Sequence, residues 1–135
     1  MRKGEFVSNL HALIIDDNPH NLGILAELLS MEGINSTQVQ HPKHLSAVLQ
    51  DVSALNVIFL DLEMPDANGY QVLENLKSDS RFRDVPVAAY TVHVSEVNVA
   101  RKKGFHSFLG KPLDADRFPD QLARILRGER VWAVA

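Results

Sequence analysis

The chain has 135 residues, 45% hydrophobic and 23% charged, with a formal net charge of -3; that is enough for one domain whose core needs no covalent staples. It contains no cysteine, which excludes disulfides, thiolate metal sites and cysteine nucleophiles and suits a reducing cytoplasm. No apolar stretch reaches the length of a membrane span, and one basic cluster, Arg101-Lys102-Lys103, in an acidic chain argues against direct nucleic-acid binding.

Residues 1–10 read as an N-terminal extension without an export signal, 11–128 as the domain and 129–135 as a short tail. The first strand, Leu13-Ile14-Ile15, ends in Asp16-Asp17. Asn18 then caps a helix with Pro19 at its first position, Leu22, Leu25, Ala26 and Leu29 as its apolar stripe and Gly33 as its stop. A second strand lies around Ser36 to Val39, and a short helix begins near Pro42 and runs through Leu45, Val48 and Leu49. Strand three, Val57-Ile58-Phe59-Leu60, ends in Asp61. The turn formers Met64-Pro65-Asp66-Ala67-Asn68-Gly69 follow, and Tyr70, Leu73 and Leu76 recur at helical spacing. Strand four, Val87-Ala88-Ala89-Tyr90, ends in Thr91; Ser95 is the expected cap of a helix that stops at Gly104. Strand five, His106 to Leu109, leads through Gly110 to Lys111-Pro112. Asp114 is the expected cap of the last helix, with a bend or restart at Pro119 and a stop at Gly128, and the tail with Trp132 is expected to fray.

Strands and helices that alternate in this way predict an α/β fold. The expected form is a flavodoxin-like, doubly wound, five-stranded parallel sheet of order 2-1-3-4-5 with five helices. Short runs this apolar suit strands buried on both faces, and ligands gather at the carboxyl ends of such strands, at the switch point between strands one and three. Asp16, Asp17, Asp61, Thr91 and Lys111 would then share one rim. Carboxylates crowded there repel one another unless a cation offsets their charge. With oxygen ligands alone, Mg2+ fits best, with Mn2+ as a substitute. Lys111 and Thr91 suit phosphoryl oxygens, and Asp61 is a candidate covalent acceptor.

In these residues, from about His11 to Arg127, the chain resembles the response-regulator receiver domain of two-component signalling, of the single-domain type. The resemblance implies that Asp61 accepts the phosphoryl group and ligates the metal, with Asp17 a direct ligand, Glu63 a ligand through its backbone carbonyl and Asp16 a ligand through water. It makes Thr91 the switch hydroxyl, Phe108 the switch aromatic and Lys111 the phosphate-binding lysine, joined to Pro112 by a cis peptide bond. Met64-Pro65 and Asn68-Gly69 match the loop after the acceptor.

Two departures stand out. Val92 follows Thr91 where the family carries a small residue and could narrow access to Asp61, while Glu63 and His93 occupy variable positions that influence phosphoryl lifetime. The function implied is a stand-alone, cytoplasmic switch rather than an enzyme, with Mg-dependent self-phosphorylation and autodephosphorylation at Asp61. Its donor would be a sensor histidine kinase or histidine phosphotransfer protein. Its output would pass to a downstream protein through helix four, strand five and helix five, where Val94, Val97, Arg101 and His106 are the exposed candidates; the same surface could support a homodimer. The competing readings are a phosphorylation-poor interaction scaffold, an aspartate-nucleophile phosphohydrolase, disfavoured by Glu63 two residues after the nucleophile, and a flavin carrier, disfavoured by the charge of Asp16-Asp17.

Overall fold

The computed structural model describes residues 10–65 and 67–134; residues 1–9 of the expected N-terminal extension, Asp66 of the acceptor loop and Ala135 of the tail lie outside the described residues. The main elements are β1 (His11–Ile15), α1 (Pro19–Met31), β2 (Asn35–Val39), α2 (Leu45–Asp51), β3 (Val57–Asp61), α3 (Gly69–Ser78), β4 (Val87–Thr91), α4 (Val97–Lys103), β5 (Ser107–Gly110), α5 (Phe118–Leu126) and β6 (Trp132–Ala133). All six strands form one parallel sheet of order β2-β1-β3-β4-β5-β6, and a two-residue antiparallel ribbon, Glu63–Met64 with Ala67–Asn68, shapes the loop after β3. Among the described residues no helix is long and apolar enough to cross a membrane.

Because side chains alternate across a strand, each central strand feeds two core layers. Leu13, Ile15, Ile58, Leu60, Ala89 and Phe108 face one layer, which meets Leu45 and Leu49 of α2, Leu73 and Leu76 of α3 and Ala100 of α4. Ala12, Ile14, Phe59, Ala88, Tyr90 and Leu109 face the other, against Leu22, Leu25 and Leu29 of α1 and Phe118, Leu122 and Ile125 of α5. The large side chains among them each contribute about 1.5–3 kcal/mol by burial. Asn18 caps α1 by accepting from the N–H groups of His20 and Asn21, and Gly33, Gly104 and Gly128 take positive φ where α1, α4 and α5 end.

Three expectations change. Ser95 falls inside a 3-10 turn, Val94–Glu96, that leads into α4 without a side-chain cap. Asp114 accepts from Asp116 and Arg117 in a turn before α5; Pro119 therefore falls in the first helical turn, where no N–H is required, and α5 neither bends nor restarts. The tail does not fray at its centre. Val131 is buried, and Trp132 and Ala133 pair with Phe108 and Leu109 as a sixth strand.

Candidate functional site

β1 lies between β2 and β3, so its neighbours diverge at its carboxyl end and leave a crevice there. Ile15 is opposite Leu60, Asp61 opposite Tyr90, and Thr91 opposite Gly110. This register delivers Asp16, Asp61, Thr91 and Lys111 to one edge. The first turn of α3 presses on that edge: a Cβ on Gly69 would stand 3.0 Å from the Leu62 Cα and 3.1 Å from the Asp61 carbonyl oxygen.

Asp16, Asp61 and Thr91 are buried, at 0%, 3% and 0% exposure, and Asp17 is half-buried. One oxygen from each of Asp16, Asp17 and Asp61 lies within 4.8 Å of the others. The Lys111 ammonium bridges two of them, at 3.0 Å from Asp16 Oδ2 and 3.5 Å from Asp61 Oδ2. Asp16 also accepts from the Tyr90 hydroxyl at 2.8 Å and from the Asn18 N–H at 3.0 Å. Asp61 Oδ1 accepts from the Glu63 N–H at 3.0 Å. Above these groups opens a cavity of about 190 Å³ that Val92 also lines.

The environments push the carboxyl groups apart. Burial raises Asp16, but the Asn18 N–H, the Tyr90 hydroxyl and the Lys111 ammonium together outweigh it and hold Asp16 below the usual carboxylate range. Burial pushes Asp61 up to about 7, despite the Glu63 N–H and Lys111. Asp17 is raised by burial and by the charge of Asp16. The rim thus carries more negative charge than its single ammonium offsets, and its donors are all oxygen, the set that a hard divalent cation prefers.

Thr91 Oγ1 accepts from the His93 N–H at 3.1 Å, which leaves the hydroxyl its own proton to donate. Phe108 is fully buried, pointing to the α4 side of the sheet. The Glu63 carboxylate stands 3.7 Å from His93 Nε2 in an exposed pair, and the Lys111–Pro112 peptide bond is cis. Val92 is 61% exposed; it stands at the mouth shared by the acidic cavity and an apolar one of about 280 Å³ lined by Ile24, Tyr90 and Leu113.

Tyr90 is the residue at the rim that sequence reasoning missed. Its place in an apolar run suggested core, and its ring does pack on Phe59, yet its hydroxyl reaches Asp16 and the Lys111 ammonium sits 4.4 Å from its ring centroid. The available signal was a phenol at the last inward position before the rim, since a buried tyrosine hydroxyl needs a partner.

The model described as response regulator receiver domain matches residues 12–123. Stress response regulator protein 1 of Candida tropicalis is 35% identical over 112 residues, 80% of this chain and 42% of that protein. Protein RcaC of Microchaete diplosiphon is 30% identical over 90% of this chain and 19% of its own length, so the chain spans less than half of these two relatives. Chemotaxis protein CheY1 of Helicobacter pylori is 26% identical over 84% of this chain and 94% of its own. Among solved structures, chemotaxis response regulator CheY4 of Vibrio cholerae superposes with a TM-score of 0.77 at 19% identity, over 86% of this chain and 98% of that one, and shares the fold.

Proposed function

Because the chain belongs to the response regulator receiver domain family, we propose that it is a phosphorylation-dependent switch in which Asp61 takes a phosphoryl group from the phosphohistidine of a sensor kinase or histidine phosphotransfer protein. The observation that carries this reading is the Lys111 ammonium held between Asp16 and Asp61, a cation placed beside a buried carboxylate that is short of compensating charge. The all-oxygen cluster of Asp16, Asp17 and Asp61 fits Mg2+, or Mn2+ in its place; Asp17, Asp61 and the Glu63 carbonyl would hold the ion, and Asp16 would act through water. When bound, the ion offsets charge on the carboxylates and on the phosphoryl oxygens.

In the transfer, an Asp61 carboxylate oxygen forms the bond to phosphorus while the phosphorus–nitrogen bond of the donor breaks and its electron pair returns to the imidazole. Lys111 meets the incoming oxygens as a point charge, and the Thr91 hydroxyl turns from its local contact to donate to one of them. Water later hydrolyses the aspartyl phosphate. Output passes to a downstream protein at the face of α4, β5 and α5, next to Thr91 and Phe108, and the setting is the cytoplasm. The phosphohydrolase reading gains nothing, since the Glu63 side chain pairs with His93 outside the acidic cluster.

Mass analysis after incubation with a small acyl phosphate and Mg2+ tests the proposal. One phosphoryl group is expected on Asp61, with none in Asp61→Asn or after chelation. Transfer undiminished in Asp61→Asn, or phosphate mapped to a histidine or serine, overturns it; no uptake by the unmodified chain leaves the scaffold reading in its place.

A further inference from the structure

The seat of β6 plays no part in the acidic site. Without β6, β5 would be the edge of the sheet, and an edge strand presents unpaired main-chain groups that can template another strand. Residues 131–134 fill that position. The Phe108 N–H donates to the Val131 carbonyl at 2.8 Å, and the Val131 N–H donates to the buried Ser107 hydroxyl at 3.0 Å. Trp132 lies opposite Phe108 and packs against the same core layer, with the Arg101 guanidinium of α4 4.6 Å from its ring centroid. Farther along, a Cβ on Gly110 would meet the Val134 and Ala133 carbonyl oxygens at 3.5 and 3.6 Å and Val94 Cγ1 at 2.9 Å. A glycine there lets the tail and the loop after β4 approach each other over the end of β5.

The seat is specific but short. Its ladder spans two residue pairs, Arg101 is exposed, Trp132 is half-buried and only Val131 is fully enclosed, while ordering an extended segment costs chain entropy that opposes these contacts.

We propose that the outer edge of β5 together with Arg101 is a strand-addition site for a short extended segment bearing an aromatic side chain, and that residues 131–134 occupy it in cis, excluding a partner protein's segment until they leave. The Phe108 N–H and the Ser107 hydroxyl bond only the main chain of the added segment, so they accept any extended backbone, and Arg101 selects an aromatic ring at the position of Trp132. The site lies within the output face of the preceding section, yet it requires no phosphoryl transfer, so the two readings fail separately.

Trp132 is the single tryptophan of the chain, and its fluorescence reports the strap directly. In the unmodified chain, acrylamide quenching of Trp132 should be well below that of a free tryptophan amide, and the Phe108 amide should exchange slowly. Trp132→Ala should speed Phe108 exchange and raise the affinity for a labelled peptide of the sequence Arg-Val-Trp-Ala-Val, each by about tenfold or more. Arg101→Ala, at an exposed position, should release Trp132 to quenching, and adding it to Trp132→Ala should weaken peptide binding again. The proposal is overturned if Trp132 is quenched like the free amide in the unmodified chain, if Trp132→Ala leaves peptide binding unchanged, or if Arg101→Ala leaves quenching unchanged. A Trp132→Ala protein that dimerises but ignores the peptide also overturns it, in favour of a surface for a second copy.

Discussion

Asp61 is ionised at neutral pH only against the cost of its burial, which holds its carboxyl near 7. Its folded pKa lies above the ordinary 3.8, so between about pH 4 and 7 the unfolded chain gives up this proton first and Asp61 lowers stability as pH rises. Asp61→Asn should therefore stabilise the metal-free protein at pH 7 by about 1–3 kcal/mol, an advantage that fades toward pH 4, as urea unfolding at both pH values would measure. Tyr90→Phe keeps the ring but removes a donor from a buried carboxylate, and should cost about 1–3 kcal/mol at pH 7 in the same assay. Val92 is exposed, so Val92→Ala should leave stability within about 0.5 kcal/mol. If its side chain shields Asp61, the same substitution should speed phosphorylation by small donors, dephosphorylation or both; unchanged rates would show that it does not.

At the scale of elements, the rim depends on how closely helices approach strand ends. Gly69 opens α3 where a Cβ would stand 3.0 Å from the Leu62 Cα and 3.1 Å from the Asp61 carbonyl oxygen. A methyl group there cannot fit without moving the loop that donates the Glu63 N–H to Asp61, so Gly69→Ala should cost about 1–3 kcal/mol and weaken metal binding, read by denaturation and by metal titration. That loop holds the Glu63 N–H against the Asp61 carboxylate. Asn68 reinforces it by capping α3 through the Tyr70 N–H, and the Tyr70 hydroxyl ties α3 to Glu96 just before α4. That bond links α3 directly to the turn that leads into α4.

For the whole molecule, three carboxylates in one crevice make the fold itself a reporter of cation binding. Any ion that binds only the folded chain stabilises it by mass action, by about 2.7 kcal/mol at a hundredfold excess over Kd. Mg2+ should raise Tm, a chelator should reverse the shift, and Asp17→Ala should remove more of it than Asp16→Ala. Equal losses would count against the division of direct and water-mediated ligands. The proposed output face is more enclosed than four exposed residues on a free surface would make it. Val97 packs partly against the core, His106 bonds to Ser107 and Gly128, and Arg101 covers Trp132, while Val94 and, on α4, Val99 stay exposed as apolar side chains.

The α/β class and the gathering of Asp16, Asp61, Thr91 and Lys111 were legible because both follow from local pattern: short apolar runs buried on two faces, each ending in a polar residue, with helical spacing between them. The strand order came instead from the flavodoxin-like form that this alternation fits. Asn18, Pro19 and Gly33 marked α1 because caps and stops act within one turn. Long-range partners have no such local mark. Tyr90 reads as core until the fold brings Asp16 beneath its hydroxyl, and Asp16 and Asp61, alike in sequence, diverge in pKa only because three donors converge on one of them. Trp132 and Ala133 read as part of a loose end because two residues have too little propensity of their own to form a strand. Only the vacant edge of β5, the Ser107 hydroxyl and the Arg101 guanidinium, all distant in sequence, supply the hydrogen bonds and contacts that make them one.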